Sequence, residues 1–325
     1  NKMLSVLWRS NLTAELAEHN KQLFRDVRFI LEPNKEKALE HVDDVDILVD
    51  GNPPAEFLDG KRLKHIIVPF VGIEPTLREA LLQRTHIKLY NSHYNDGFVA
   101  QHVLALLFAC ANRLVEADMT FRKGDWRQRY DRLDSLYLAG KTCLLLGYGA
   151  IGKKLAPVLQ ALGMDISVLK RNAVREKNLT VYTTGQLLEA LANADVVLCS
   201  LPETPETINL LDRAAFAAMK PKGILVNVGR GKVIDQYALY DALKSKHLLA
   251  AGLDVWWNYP KDTEARAHTL PADAPLYELP NIIMSPHRAN QTLGEERARL
   301  EDIAKTIQAI AKGETRNLVD VQRGY

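Results

Sequence analysis

Two open α/β units with doubly wound parallel sheets are what this sequence predicts. Three observations predict them. Short apolar runs alternate with helix-like stretches from residue 4 to residue 90, and a second alternation runs from 142 to 286. The second alternation opens on a strand-like run that ends in Gly147-Tyr148-Gly149-Ala150-Ile151-Gly152, a G-x-G-x-x-G spacing. A chain of 325 residues is long enough for two substantial cores.

In chain order, residues 4–8 read as a strand and a polar helix-like stretch follows to about Phe24. Strands are expected at 27–31, Ile47–Val49, 63–68 and 87–90, with helices at 38–41 and 75–84 between them. Residues 91–97 (N-S-H-Y-N-D-G) have loop composition. The run 98–115 reads as one long helix apolar on most faces, hence buried in a core or across a subunit interface.

The second unit begins near Lys141. Its expected strands are Thr142–Leu146, 166–169, 196–200, 224–228, 249–253 and Ile282–Met284. Helices are expected at 153–162, 184–192, Arg213–Ala218 and Gln236–Lys244, and a last one at 293–312. Each glycine of the first turn has a physical task. Gly147 makes the tight turn out of the strand, Gly149 lets a pyrophosphate approach the backbone, and Gly152 lets helix and strand pack closely. The helix start offers free N–H groups and a positive dipole end to phosphates. Ligands of such a sheet lie at the strands' carboxyl ends.

Composition excludes several classes. Hydrophobic residues make up 47% and charged residues 25%, as in an ordinary globular protein, and the net charge of +2 gives no reason to expect nucleic acid or an anionic membrane. Cys110, Cys143 and Cys199 lie in apolar runs and read as buried residues of a reducing compartment, with no disulfide framework. No Cys/His spacing suits a metal. The longest apolar stretch is too short to span a bilayer and no signal-peptide pattern precedes the first strand, so a cytoplasmic protein is expected.

Four blocks in fixed order resemble the D-isomer-specific 2-hydroxyacid dehydrogenases: G-Y-G-A-I-G; A-D-V-V-L-C-S-L-P-E-T-P-E-T at 194–207; M-K-P-K-G-I-L-V-N-V-G-R-G-K-V-I-D at 219–235; and S-P-H at 285–287. The resemblance implies a cofactor domain (114–287) inserted in a flavodoxin-like substrate domain (1–113 and 288–325), and a homodimer with the 98–115 helix near its interface. It also implies hydride transfer between a nicotinamide cofactor and a small 2-oxo or 2-hydroxy acid of D configuration.

Arg230 stands in V-G-R-G, which looks like the family's substrate-arginine motif. A guanidinium offers a planar fork to a ketone and a carboxylate and stays charged at any working pH. His287, one of nine histidines, is the one in a motif similar to the family's acid/base histidine. Imidazole titrates near neutrality and can deliver the proton that ketone reduction needs. The chain departs from the family at a third position. Where the family has Glu before proline, this chain has Tyr259 before Pro260. Tyr259 can orient the imidazole but supplies no charge. The segment that follows, 261–274, is longer than the family's and carries Asp262, Glu264 and Asp273, one of which is a candidate replacement carboxylate; a solvated surface loop is the alternative.

The resemblance further implies that Val71 and Gly72 present backbone N–H groups to the substrate carboxylate and that Asn95 lies in the active site, with Gln101 where the family often has Glu. Phe70, Tyr94, Trp256 and Trp257 either make the pocket aromatic, favouring a bulky apolar tail, or pack in the core. For the cofactor it implies Tyr148 to Ile151 along the pyrophosphate, Leu201, Pro202 and Thr207 at its border, Val228 and Gly229 near the nicotinamide, and Asp254 on the carboxamide. A strand-end Asp also caps turns.

An NAD-binding member ends its second strand in an acid that bonds the ribose hydroxyls. Here Lys170-Arg171-Asn172 stands in that place. Two cations in place of the acid suit the 2′-phosphate, so NADP(H) is expected over NAD(H). Two other readings stay open: a dehydrogenase of a small anion such as formate or phosphite, and a cofactor-sensing binding protein.

Overall fold

Five short apolar runs make the first sheet: β1 Ser5–Trp8, β2 Arg28–Leu31, β3 Ile47–Val49, β4 His65–Ile67 and β5 Lys88–Tyr90. The structure is a computed structural model that describes residues 3–10, 14–25, 27–131, 135–171 and 175–322. The sheet is parallel throughout, in the order β2-β1-β3-β4-β5, which is the flavodoxin-like winding. Its central strands are apolar on both faces because both faces are covered. Leu7, Leu48, Ile66 and Leu89 enter one core; Val6, Ile47, Ile67 and Tyr90 enter the other, against Leu300, Ile303 and Ile307 of the helix Glu295–Ala311.

The second sheet holds β6 Thr142–Leu146, β7 Asp165–Lys170, β8 Thr180–Thr183, β9 Val196–Cys199, β10 Gly223–Asn227, β11 Leu248–Leu253 and β12 Ile282–Met284. It is parallel in the order β12-β11-β10-β9-β6-β7-β8, so the winding reverses between β6 and β9. That reversal is where an open sheet of this kind takes its ligand. The three cysteines are buried and free. Burial pushes the Cys110 and Cys199 thiols up to about 12, so they are inert packing residues.

The chain forms two compact units: residues up to Asn95 together with those from Leu293 on, and Asp96–Thr292. The units divide at 95/96 and 292/293. The reason is the helix Asp96–Ala111. Val99, Val103, Leu106, Leu107 and Cys110 bury into the second core with Cys143, Leu145, Val196 and Val226. Gly252 in β11 makes room: a Cβ there would lie 3.0 Å from that of Leu106.

Two expectations change. The helix expected over 98–115 ends at Ala111 and a second, Leu114–Phe121, starts after a bend of 64°. Arg113 sits at φ 51 in the left-handed region, and the Ala111 carbonyl accepts from Leu136 N–H (2.8 Å) instead of continuing the helix ladder. Strand β8 was not expected. It is an edge strand in which Val181 and Tyr182 are the apolar residues, too few for a periodic signal.

Candidate active site

Strand β6 ends in the glycine turn. Gly147 takes φ +99, a conformation other residues reach only with strain, and a Cβ on Gly152 would lie 2.7 Å from the Gly147 carbonyl oxygen. Gly149 caps the helix Ala150–Ala161, and a Cβ built on it meets nothing within 4 Å. Strand, open turn and helix N-terminus thus form the cradle a pyrophosphate needs, and these residues fit a dinucleotide. On β9's side, Thr207 Oγ1 donates to the Pro202 carbonyl (2.6 Å) and accepts from Thr204 N–H (2.8 Å), closing the loop that carries Leu201. A Cβ on Gly229 would lie 2.3 Å from the Leu201 carbonyl oxygen, so the loops after β9 and β10 touch backbone to backbone.

Two buried polar residues shape the turns beyond the strands. Asn227 ends β10 fully buried. Its Oδ1 accepts from Gly229 N–H (3.0 Å) and its Nδ2 donates to the Arg230 carbonyl (3.0 Å), which fixes Val228-Gly229-Arg230. Arg230 Nη1 donates to the Gly229 carbonyl (2.8 Å). Asp254, 1% exposed, follows β11. Its Oδ1 accepts from Ser285 Oγ (2.5 Å) and Arg288 N–H (2.9 Å), and its Oδ2 from Ala289 N–H (3.0 Å). His102 Nε2 lies 3.0 Å from Ser285 Oγ and 3.4 Å from Asp254 Oδ1. Burial alone would raise the Asp254 carboxyl; hydrogen bonds from His102, Ser285 and the two N–H groups outweigh it and hold it below the ordinary range.

His287 is the residue this second turn presents. It sits at φ 52, left-handed, because Ser285 and the two N–H groups after it are gripped by Asp254. Tyr259 Oη lies 2.9 Å from His287 Nδ1 and accepts from Trp256 N–H (3.2 Å). Desolvation, then the charge of Arg230, lower the His287 pKa below its ordinary value; Asp254 opposes them. Burial raises Tyr259 above the ordinary phenol range, so it is neutral at any working pH.

In the first unit, β4 runs into Phe70-Val71-Gly72. Asn91 Nδ2 donates to the Val71 carbonyl (2.9 Å) and Ser92 N–H to the Phe70 carbonyl (3.1 Å). Ser92 Oγ also donates to Asp302 of the helix Glu295–Ala311 (2.6 Å), where Asp302 pairs with Arg316 (2.5 Å); this pins the loop that leads to Tyr94 and Asn95.

The family model for the D-isomer specific 2-hydroxyacid dehydrogenase NAD binding domain matches residues 104–289. The chain belongs to that family. A glyoxylate reductase of Thermococcus gammatolerans is 32% identical over 292 residues, covering 86% of this chain and 84% of that protein. A D-3-phosphoglycerate dehydrogenase of Mycobacterium leprae is 30% identical over 295 residues; this chain is covered to 89% but spans only 53% of that relative, about half its length. Among solved structures, an NADPH-dependent glyoxylate/hydroxypyruvate reductase from Sinorhizobium meliloti with NADP and malonate aligns at TM-score 0.74 and 25% identity, covering 99% of this chain and 98% of that one.

Against the family pattern, Tyr259 occupies the position on His287 Nδ1 that sequence reasoning left open. Asp262 accepts from Ala265 N–H (2.8 Å), Asp273 from Asn258 Nδ2 (2.8 Å), and Glu264 is exposed; among the described residues none of the three bonds His287. The segment is a surface loop. Trp256 packs in the core with the partly buried Trp257 against it, and the two donate to the Ser285 and Ile234 carbonyls (both 2.8 Å). Lys170 pairs with Glu176 and lies 5.8 Å above the Tyr148 ring. Arg171 is exposed and its charge lowers Glu206, behind the hydrogen bonds of Thr204 and of Glu206's own backbone; Asn172 is outside the described residues. Sequence reasoning missed Asn227 and His102. A polar residue inside an otherwise apolar strand, as in G-I-L-V-N, was the signal available for Asn227.

Proposed function

We propose that the protein is an NADP(H)-dependent reductase of a small 2-oxo acid, with glyoxylate and hydroxypyruvate as first substrates to try. The observation that carries this reading is the placement of Arg230 and the Tyr259–His287 pair just beyond the carboxyl ends of β10 and β12, in the unit whose β6 carries the glycine cradle. The cofactor, when bound, supplies the hydride. Gly147 to Gly152 hold its pyrophosphate, with Leu201, Pro202 and Thr207 at its border and Val228 and Gly229 by the ring. Asp254, whose oxygens are engaged by the 285–289 turn, acts chiefly as the anchor of His287.

Arg230 polarises the substrate carbonyl and holds its carboxylate; in the first unit the family resemblance gives substrate-binding roles to the N–H groups of Val71 and Gly72 and to Asn95. His287 donates the proton from Nε2. Tyr259 serves both states of the ring: its oxygen accepts from Nδ1–H, which the ring carries as imidazolium and keeps once Nε2 has given up its proton. Lys170 and Arg171 take the 2′-phosphate of NADP(H) in preference to NAD(H). The units serve as substrate domain (to Asn95 and from Leu293) and cofactor domain (Asp96–Thr292). Exposed Leu114, Met119, Phe121, Trp126 and Tyr130 form the apolar face through which two copies make a homodimer.

Initial rates of NADPH and NADH oxidation across a panel of 2-oxo acids test the reading. Turnover is expected with NADPH, and K170A/R171A raises the NADPH dissociation constant while leaving that of NADH unchanged. Equal wild-type constants for the two cofactors overturn the NADP(H) preference. Tight cofactor binding with no turnover of any acid moves the weight to anion oxidation or cofactor sensing.

A further inference from the structure

We propose that Arg299 selects the substrate: it binds a second anionic group at the far end of the 2-oxo acid. The proposal rests on the 2-oxo acid reading above. Arg299 lies on the helix Glu295–Ala311, and its guanidinium carbon is 5.5 Å from the Phe70 ring centroid and 5.6 Å from that of Tyr94. Both rings belong to the substrate loops of the same unit, since Phe70 directly precedes Val71-Gly72 and Tyr94 directly precedes Asn95.

Two further observations give the cation its purpose. Two acids stand one helical turn before Arg299, Glu295 and Glu296; Glu295 accepts from Tyr94 Oη (2.6 Å), and neither lies within ion-pair distance of Arg299. Arg297 and Arg316, the other arginines bonded to this helix, have their carboxylates: Arg297 pairs with Glu301 (3.1 Å) and Arg316 with Asp302 (2.5 Å). Among the described residues Arg299 has no carboxylate within 4.0 Å. Phe70 is 43% exposed, a large ring held out of the core beside the substrate loop. A guanidinium laid on aromatic faces keeps its N–H edge available, and that edge is a fork for carboxylate or phosphate.

These contacts bear on the two readings of the aromatics, a pocket for an apolar tail or core packing. Of the four, Trp256 is in the core with Trp257 packed against it, and Phe70 and Tyr94 lie under a cation.

The test compares kcat/KM for 2-oxoglutarate, oxaloacetate and 3-phosphonooxypyruvate with that for pyruvate, 2-oxobutyrate and phenylpyruvate, using NADPH and wild type, R299M and R299K. Wild type is expected to favour an acid with a distal anion, and the carboxylate and phosphate arms show which anion. R299M is expected to lose about 10- to 100-fold on that acid, through KM, and less than about threefold on pyruvate; R299K recovers part of the loss. Equal losses on all acids, or a wild-type preference for uncharged tails, overturn the proposal. If no acid turns over, the reductase reading fails separately, and calorimetry of 2-oxoglutarate and 3-phosphonooxypyruvate on the NADPH-loaded protein decides Arg299. A Kd weakened about tenfold or more in R299M supports it; equal Kd values, or no binding to wild type, overturn it.

Discussion

The turns after β10 and β12 solve one problem with different side chains. Each carries a reactive residue past the edge of a parallel sheet, and each is gripped by a buried polar residue at a strand's end. After β10 the grip is an amide. Asn227 must accept from one backbone group, Gly229 N–H, and donate to another, the Arg230 carbonyl, which only an amide does. After β12 the grip is a carboxylate, Asp254 at the end of the neighbouring β11. Asp254 meets only donors: Ser285 Oγ, Arg288 N–H and Ala289 N–H. The side chain follows from the polarity of the backbone atoms it meets, and the charge on Asp254 has a second effect, since it opposes the fall in the His287 pKa.

Exchanging the two chemistries breaks the comparison at its strongest point. D254N turns an amide against backbone N–H groups and is expected to cost about 3 kcal/mol of unfolding free energy in urea denaturation, since buried donors go unpaired. It should also abolish most reductase activity as the His287 turn relaxes. N227D places a carboxylate oxygen against the Arg230 carbonyl and is expected to cost about 2 kcal/mol by the same measurement. A variant with wild-type stability and rate at either position would show that the turn holds itself.

Smaller effects sharpen the account of His287. Reduction uses the imidazolium, so kcat/KM should fall as pH rises through an apparent pKa below the ordinary histidine value of about 6.5. Y259E supplies a charge to Nδ1 and should move that limb upward by about 1–3 units, whereas Y259F should leave its position nearly unchanged and lower kcat. A limb unmoved in Y259E would mean that the group on Nδ1 does not set the pKa of the His287 ring. The least effect is expected from D262A and E264A: pH–rate profiles matching wild type, because both carboxylates face solvent.

Much of the site was legible because it is written in local chemistry. Gly147 and Gly152 are glycine for conformational and contact reasons that act within a few residues, and Arg230 and His287 follow strands whose apolar runs announce themselves. What was not legible depended on partners distant in sequence. Asn227 reads as a blemish in a strand until its turn folds back on it. His102 reads as one more helix residue until Ser285 and Asp254 arrive beside it. The two tryptophans read equally well as pocket or core, and their N–H bonds to the Ser285 and Ile234 carbonyls appear only in the folded chain.

The sequence by itself determined the two parallel α/β sheets, their strands other than β8, and the glycine turn with its candidate residues Arg230 and His287, since hydrophobic period and turn chemistry are short-range properties. Only the tertiary structure decided the partner of His287, the core to which the helix Asp96–Ala111 belongs and the residues over which Arg299 lies. Those are long-range contacts, set by which buried polar groups find complementary partners once the sheets have closed, and no local pattern encodes them.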